Sequence, residues 1–247
     1  MPKRDLIFRK PLMNAAGTLG FVPDARAPVP WTDLGAFVTN PISLRPRRAA
    51  ASPGLLEFPG GFLLHSGLPN PGLPSVLKKY GHRWLDAALP IIVHLMADRP
   101  EQTRQMVQAL EGFENVMAVE LGFAPQLAQD IIALAVEMCR AELPLIVSLP
   151  AEQVLSLGER VMSLGAAAIS LAAPRGALPR GADVITGRVF GPAQYPRSLD
   201  IVYSAARLGL PIIGGGGVCS QADVDSMLAA GALAVQMDSA LWLPRIE

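Results

Sequence analysis

The sequence LIVSL at residues 145–149 is followed by AEQVLSLGERVMSL at residues 151–164 and then by AISL at residues 168–171. The two short runs are typical of β-strands, and the segment between them has the length and the apolar spacing of an amphipathic helix. A strand, a helix and a second strand in this order predict two parallel strands joined by a helical crossover.

The same alternation continues along the whole chain, which predicts an α/β fold of the (β/α)₈, or TIM-barrel, type. No linker or low-complexity segment divides it, so residues 1–247 are predicted to form a single domain. Candidate helices lie near residues 73–86, 99–111, 125–141, 151–164, 198–208 and 220–230. The eight candidate strands are Leu12–Ala16, Ala36–Thr39, Ile91–Leu95, Met117–Leu121, Leu145–Leu149, Ala168–Leu171, Pro211–Gly214 and Ala234–Met237.

Two long segments, Pro41–Gly72 and Pro174–Pro196, interrupt this rhythm. Both follow strand ends, where a parallel barrel builds its active site, so we expect them to form lids and pocket walls. The chain ends at Glu247, ten residues after the eighth candidate strand. This predicts a shortened final helix, and apolar surface left exposed there would favour a homo-oligomer.

Composition excludes several classes of function. The 21 basic and 21 acidic residues give zero formal net charge, so no electrostatic footprint of a nucleic-acid-binding protein is present. No apolar run is long enough to span a membrane, and the first residues lack the apolar run of a secretory signal, which predicts a cytoplasmic protein. Two cysteines are too few for a structural zinc site, and no residue grouping has metal-ligand spacing. We therefore expect a small-molecule ligand, no membrane partner and no metal.

The glycine run Gly214–Gly217 comes shortly before Ser220, which is predicted to begin a helix. Without side chains, backbone N–H groups can approach an anion closely, and the helix dipole also favours negative charge. Four glycines can equally make a tight turn between a strand and a helix. A phosphate site and a plain turn both remain open.

Polar residues are predicted to point into the barrel from three neighbouring strands. Side chains alternate along a strand, so Glu120 faces inward, and the same parity places His94 and Ser148 beside it. A histidine next to a glutamate in a partly dry pocket is the pair that general acid–base catalysis uses, which makes His94 and Glu120 the candidate catalytic residues. A barrel interior can also pair these two residues solely to satisfy both.

Several segments resemble motifs of the dihydroorotate dehydrogenase family, in the family's order. Residues 14–21 (NAAGTLGF) resemble its first-strand flavin loop, and residues 38–47 (VTNPISLRPR) resemble its second-strand motif. Residues 58–62 and 67–72 are similar to its substrate loop, and residues 191–192, 210–218 and 230–235 complete the series. The chain is identified as a divergent and shortened member of that family.

This resemblance implies an FMN-dependent oxidoreductase of pyrimidine metabolism, with the flavin at the carboxyl ends of the strands. In the family, the loop that corresponds to Gly214–Gly217 and the next strand end hold the FMN phosphate. The positions that match the family's cofactor site are Ala16, Gly17, Asn40, Ser148, Gly191, Gly216, Gly217 and Ser239, with His94 in the same pocket.

The departures from the family pattern fall where the family does its chemistry. Asn40 and Ser148 stand where the family has lysines, Leu64 replaces a substrate-binding asparagine, and alanines at 172–173 replace an Asn-Thr pair. After the fourth strand, residues 120–125 lead directly into a helix, so no residue matches the family's catalytic base. These losses argue against orthodox dihydroorotate oxidation.

The last phosphate-binding position also differs, because the chain has Asp238 and Ser239 where the family usually has Gly-Thr. A carboxylate a few ångströms from a phosphate dianion is repelled by about 1 kcal/mol or more at a surface-like dielectric. We therefore expect Asp238 to weaken or exclude a phosphate at that place.

Three functions remain open. The first is an enzyme of the flavin oxidoreductase lineage that binds FMN or a smaller anionic or phosphorylated ligand at the carboxyl ends of the strands. The second is a catalytically silent barrel that acts as a binding or partner protein without flavin. The third is a lyase or isomerase that uses His94 and Glu120 without flavin.

Overall fold

The computed structural model describes residues 5–242. Every predicted strand and helix overlaps an element of the structure. The strands are β1 (Leu12–Asn14), β2 (Phe37–Val38), β3 (Gly54–Phe58), β4 (Gly61–His65), β5 (Ile91–Met96), β6 (Val116–Gly122), β7 (Leu145–Leu149), β8 (Ala168–Leu171), β9 (Arg175–Arg180), β10 (Asp183–Phe190), β11 (Ile212–Gly215) and β12 (Ala234–Met237). The helices are α1 (Leu73–Leu85), α2 (Pro100–Gln108), α3 (Gln129–Met138), α4 (Ala151–Ser163), α5 (Tyr195–Arg207) and α6 (Gln221–Ala229).

Eight parallel strands form the barrel, in the order β1-β12-β11-β8-β7-β6-β5-β2. A parallel bridge between Met13 and Ala36 brings the two end strands of this sheet together. The backbone N–H of Gly35 also donates to the carbonyl of Leu12 at 2.7 Å across the same seam. The predicted (β/α)₈ fold is confirmed.

The barrel interior is layered. An apolar layer contains alternate strand residues such as Ile92, Ala118 and Ile146, all fully buried. Two residues further along the same strands come His94, Glu120 and Ser148, because side chains alternate along a strand and i and i+2 share a face. The polar layer therefore lies at the carboxyl ends of the strands, above an apolar floor.

The two long segments that interrupt the alternation of strands and helices, Pro41–Gly72 and Pro174–Pro196, form one sheet together. Each contains a β-hairpin, and the hairpins pair through β4 and β10 to give a four-stranded antiparallel sheet in the order β3-β4-β10-β9. Phe62 and Phe190 are partners in this register, and their rings stack with centroids 5.3 Å apart. We call this element the lid sheet. Turn signals at Pro59-Gly60 and at Gly181 lie between the strands of each hairpin.

The segment after β12 continues as a 3₁₀ turn over Ser239–Trp242. The predicted shortening of the final helix concerns residues that extend outside the described range. Between residues 5 and 242, no helix has the length and apolar content needed to cross a bilayer. In that range, no group of three or more His, Cys, Asp or Glu side chains is placed to hold a metal ion.

Candidate active site

Glu120 is the centre of a hydrogen-bond network inside the barrel. It is 1% exposed. His94 is its register partner on β5, and the two side chains meet at 2.6 Å between Nδ1 of His94 and Oε2 of Glu120. The other carboxylate oxygen accepts hydrogen bonds from Ser170 Oγ at 2.6 Å and from Gln236 Nε2 at 2.8 Å. One carboxylate on β6 therefore links side chains from β5, β8 and β12.

The network decides the charge on Glu120. Burial opposes ionisation, but the hydrogen bonds from His94, Ser170 and Gln236 outweigh it and hold the pKa of Glu120 below its ordinary value. The carboxylate is thus ionised at neutral pH and accepts from three strands. This arrangement satisfies a buried charge with good geometry, as a structural role requires.

Two members of this network, Ser170 and Gln236, were not predicted from the sequence, whereas His94 and Glu120 were. Each of the two is the polar member of a short, otherwise apolar strand, at the inward parity. That pattern is a signal that could have identified them. Ser148, which we expected in the cluster, lies next to Gly122 and Ser170 in the register, and it is not among the hydrogen-bond partners of Glu120.

Gly122 makes room for the histidine. A Cβ atom at this position would lie 2.3 Å from Nε2 of His94, a contact that no other residue type could accept without movement of the ring. The His94 side chain is 12% exposed, so this edge of the polar layer is nearly covered.

The glycine loop and the end of β12 hold a carboxylate. The Ser239 backbone N–H donates to Oδ1 of Asp238 at 2.5 Å, and the Ser239 hydroxyl lies 3.0 Å from the same oxygen. Burial raises the pKa of Asp238, and hydrogen bonds from Ser239 and from the Gly217 backbone N–H oppose that rise. Ser239, one of the residues matched to the phosphate site, therefore binds an oxyanion that belongs to the chain itself, and Gly217 favours the ionised form of the same carboxylate.

Arg188 reaches from the lid sheet to the first-strand loop. It is half-buried on β10, and its Nη1 donates to the carbonyl of Ala16 at 3.3 Å. A Cβ atom at Gly17 would lie 2.6 Å from the same nitrogen, so the guanidinium rests directly on that glycine. Its carbon also lies 5.4 Å from the centroid of the Phe190 ring. Arg188 was not predicted from the sequence.

The remaining matched positions lie at the same end of the barrel. Oδ1 of Asn40 accepts from the backbone N–H of Gly20 at 3.1 Å, which holds the first-strand loop against the second strand. Gly191 and Gly217 are close neighbours, because a Cβ atom added at Gly217 would lie 3.0 Å from the carbonyl oxygen of Gly191. A Cβ atom added at Gly216 would lie 2.8 Å from Oγ of Ser198. The structure thus groups Ala16 and Gly17 around Arg188, and Gly191, Gly217 and Ser239 around the Asp238 loop.

Comparison with known proteins decides the family. The family model for dihydroorotate dehydrogenase matches residues 4–129. The catalytic subunit of dihydroorotate dehydrogenase B (NAD(+)) from Trichlorobacter lovleyi is 31% identical over 260 residues, covering 96% of this chain and 86% of that protein. This chain belongs to the dihydroorotate dehydrogenase family. The corresponding subunits from Pelobacter propionicus (30% identical, 96% and 86% covered) and Bacillus caldolyticus (28%, 95% and 82%) agree.

Membership in the dihydroorotate dehydrogenase family supports a flavin oxidoreductase ancestry and carries with it the expectation of FMN. The local geometry disagrees with that expectation at two points. The Ser239 N–H and hydroxyl already contact the Asp238 carboxylate, and the Arg188 guanidinium covers Gly17. As they are arranged, these residues do not fit FMN with its phosphate at the place that the resemblance implied.

Proposed function

We propose that this chain binds a small anionic ligand at the carboxyl ends of the barrel strands, beneath the lid sheet, without oxidising dihydroorotate in the manner of its family. The flavin oxidoreductase ancestry supports the location of the site. The relatives are named for dihydroorotate, which carries a ring carboxylate, and this supports an anionic ligand.

The observation that carries the proposal is the charge on Arg188. Burial, together with the nearby Arg175, lowers the pKa of Arg188 to about 10, so the guanidinium stays protonated at neutral pH. Arg175 is its register partner on β9, and like charges placed opposite each other destabilise a sheet. Across residues 5–242, no carboxylate oxygen lies within 4.0 Å of either guanidinium. An anion bound at Arg188 would compensate this charge.

Loss of the family reaction is supported by the residues that the resemblance aligns with its catalytic groups. Asn40 and Ser148 cannot supply the positive charge of the family's lysines, and the segment after β6 offers no counterpart of its base. His94 and Glu120 do not replace them in this proposal, because the carboxylate of Glu120 serves the three-strand network.

Arg188→Gln is expected to weaken binding of orotate or dihydroorotate about ten- to a hundredfold, since a hydrogen bond to a charged group contributes about 1.5–3 kcal/mol. Isothermal titration calorimetry measures this directly. Arg48→Gln, an equal charge change at an exposed position of the 41–72 segment, should leave the affinity unchanged.

Neither the wild type nor Arg188→Gln should reduce a dye acceptor when dihydroorotate is the substrate. Equal affinities of the wild type and Arg188→Gln, or no binding of either carboxylate by the wild type, would overturn the binding proposal. Dihydroorotate-dependent dye reduction by the wild type would overturn the proposed loss of oxidation.

A further inference from the structure

We infer that the Asp238 carboxylate lies where the family binds the phosphate of FMN. This makes the site selective for small carboxylates and against phosphate monoesters such as flavin nucleotides. The ligand class rests on the proposed function, whereas the exclusion of phosphate rests on Asp238 alone.

The carboxylate of Asp238 is held where a phosphate would need donors. It accepts from the Ser239 backbone N–H at 2.5 Å, the Gly217 backbone N–H helps to lower its pKa, and the residue is 6% exposed. The Ser239 hydroxyl contacts the same oxygen at 3.0 Å. A phosphate could use these groups only after displacing the Asp238 side chain from them.

The glycine loop beside Asp238 is closely packed. Gly217 has a φ of +77°, and a Cβ atom there would lie 2.5 Å from the backbone nitrogen of Tyr195. Gly216, with a φ of +87°, is packed against Ser198 Oγ in the same way. Glycine is needed at both positions, because a side chain there would clash with these neighbours.

A phosphate dianion beside Asp238 would also be repelled, since burial of the carboxylate reduces screening by water. A carboxylate ligand at Arg188 is repelled less, because it carries a single negative charge that the guanidinium compensates. Asp238 acts on Arg188 electrostatically without contacting it within 4.0 Å, so the guanidinium keeps N–H groups for a ligand. The planar fork of arginine suits a carboxylate, which it can bind with two parallel hydrogen bonds.

The test compares FMN with riboflavin, which has the same ring system and lacks the phosphate. Asp238→Asn removes the charge and keeps the side-chain volume, and Asp238→Gly removes the side chain. Each variant should bind FMN at least about tenfold more tightly than the wild type does, while riboflavin affinity changes little. Fluorescence quenching of the flavin measures both. Asp225→Asn, an exposed aspartate on α6, is the matched control and should change neither affinity.

Inorganic phosphate and orotate complete the experiment, with circular dichroism confirming that each variant is folded. The affinity for inorganic phosphate should rise in both variants, as the affinity for FMN does. Orotate affinity should stay within about threefold of the wild type in Asp238→Asn, because Arg188 is unchanged. Equal FMN binding by the wild type and both folded variants, or a gain shared equally by riboflavin, would overturn the role of Asp238. If the wild type does not bind orotate while both variants bind FMN more tightly, the role of Asp238 in excluding phosphate is supported and the proposal of a carboxylate ligand is wrong.

Discussion

Glu120→Ala is expected to destabilise the folded protein by about 3–5 kcal/mol, the cost of breaking a buried pair by removal of one partner. The change leaves His94, Ser170 and Gln236 without the acceptor that joins them across the barrel. Since β5, β8 and β12 are tied through this one side chain, we expect the loss to appear as a lower urea midpoint of a single unfolding transition.

Two further variants separate the charge from the packing. Glu114→Ala, at an exposed position just before β6, should stay within about 0.5 kcal/mol of the wild type. Glu120→Gln keeps the volume and an acceptor oxygen, so it should lose less stability than Glu120→Ala. A stability of Glu120→Ala equal to that of Glu114→Ala would show that the network contributes nothing.

The charge on Glu120 also makes stability depend on pH. Its pKa is lower in the folded protein than in the unfolded chain, so its contribution is complete above the ordinary glutamate pKa of about 4.3. The contribution is lost as the pH falls through the lower folded value, because protonation then favours the unfolded chain. Glu120→Gln should show a shallower loss of stability in acid than the wild type does.

Gly35→Ala is expected to cost about 4 kcal/mol or more, which places it among the most damaging single substitutions. A Cβ atom at this buried position would lie 1.9 Å from the carbonyl oxygen of Lys10 and 2.9 Å from its backbone nitrogen. Both are backbone atoms, so no side-chain rotation relieves the clash. The strands β1 and β2 would be pushed apart at the seam where Gly35 bonds to Leu12.

Gly112→Ala is the control for this substitution, because nothing lies within 4 Å of the Cβ it would add and its backbone φ is not in the left-handed region. Its stability should equal or slightly exceed that of the wild type, since alanine restricts the unfolded chain. If Gly35→Ala unfolds at the same urea concentration as Gly112→Ala, the close contact between the two strands does not exist.

The barrel strands could be predicted because each is a short apolar run with its own local pattern, as in Leu145–Leu149 and Ala168–Leu171. Strand parity also places His94 and Glu120 on the same inward face of neighbouring strands, where their side chains meet. The same parity applies to Ser170 and Gln236. Their strands are not adjacent to β6, however, and the contact exists only because the Glu120 carboxylate reaches across the barrel.

Arg188 could not be predicted in the same way. It lies in an interruption without clear periodicity, and its direction depends on the pairing of β10 with β4, a strand from the other interruption. Nothing local encodes that pairing. The effect of Asp238 could be predicted, because its carboxylate falls at a position matched to the phosphate site and would repel a phosphate. The structure adds the N–H donor of Ser239 that holds the carboxylate there.

The visible absorbance spectrum of the protein purified without added cofactor tests most directly the central claim, that Asp238 and Arg188 fill the flavin subsite of a dihydroorotate dehydrogenase barrel. We predict a colourless protein with no flavin bands and no flavin released on heat denaturation. Flavin bands that persist through gel filtration at near one flavin per chain would contradict the account, because a bound FMN would have had to displace both side chains.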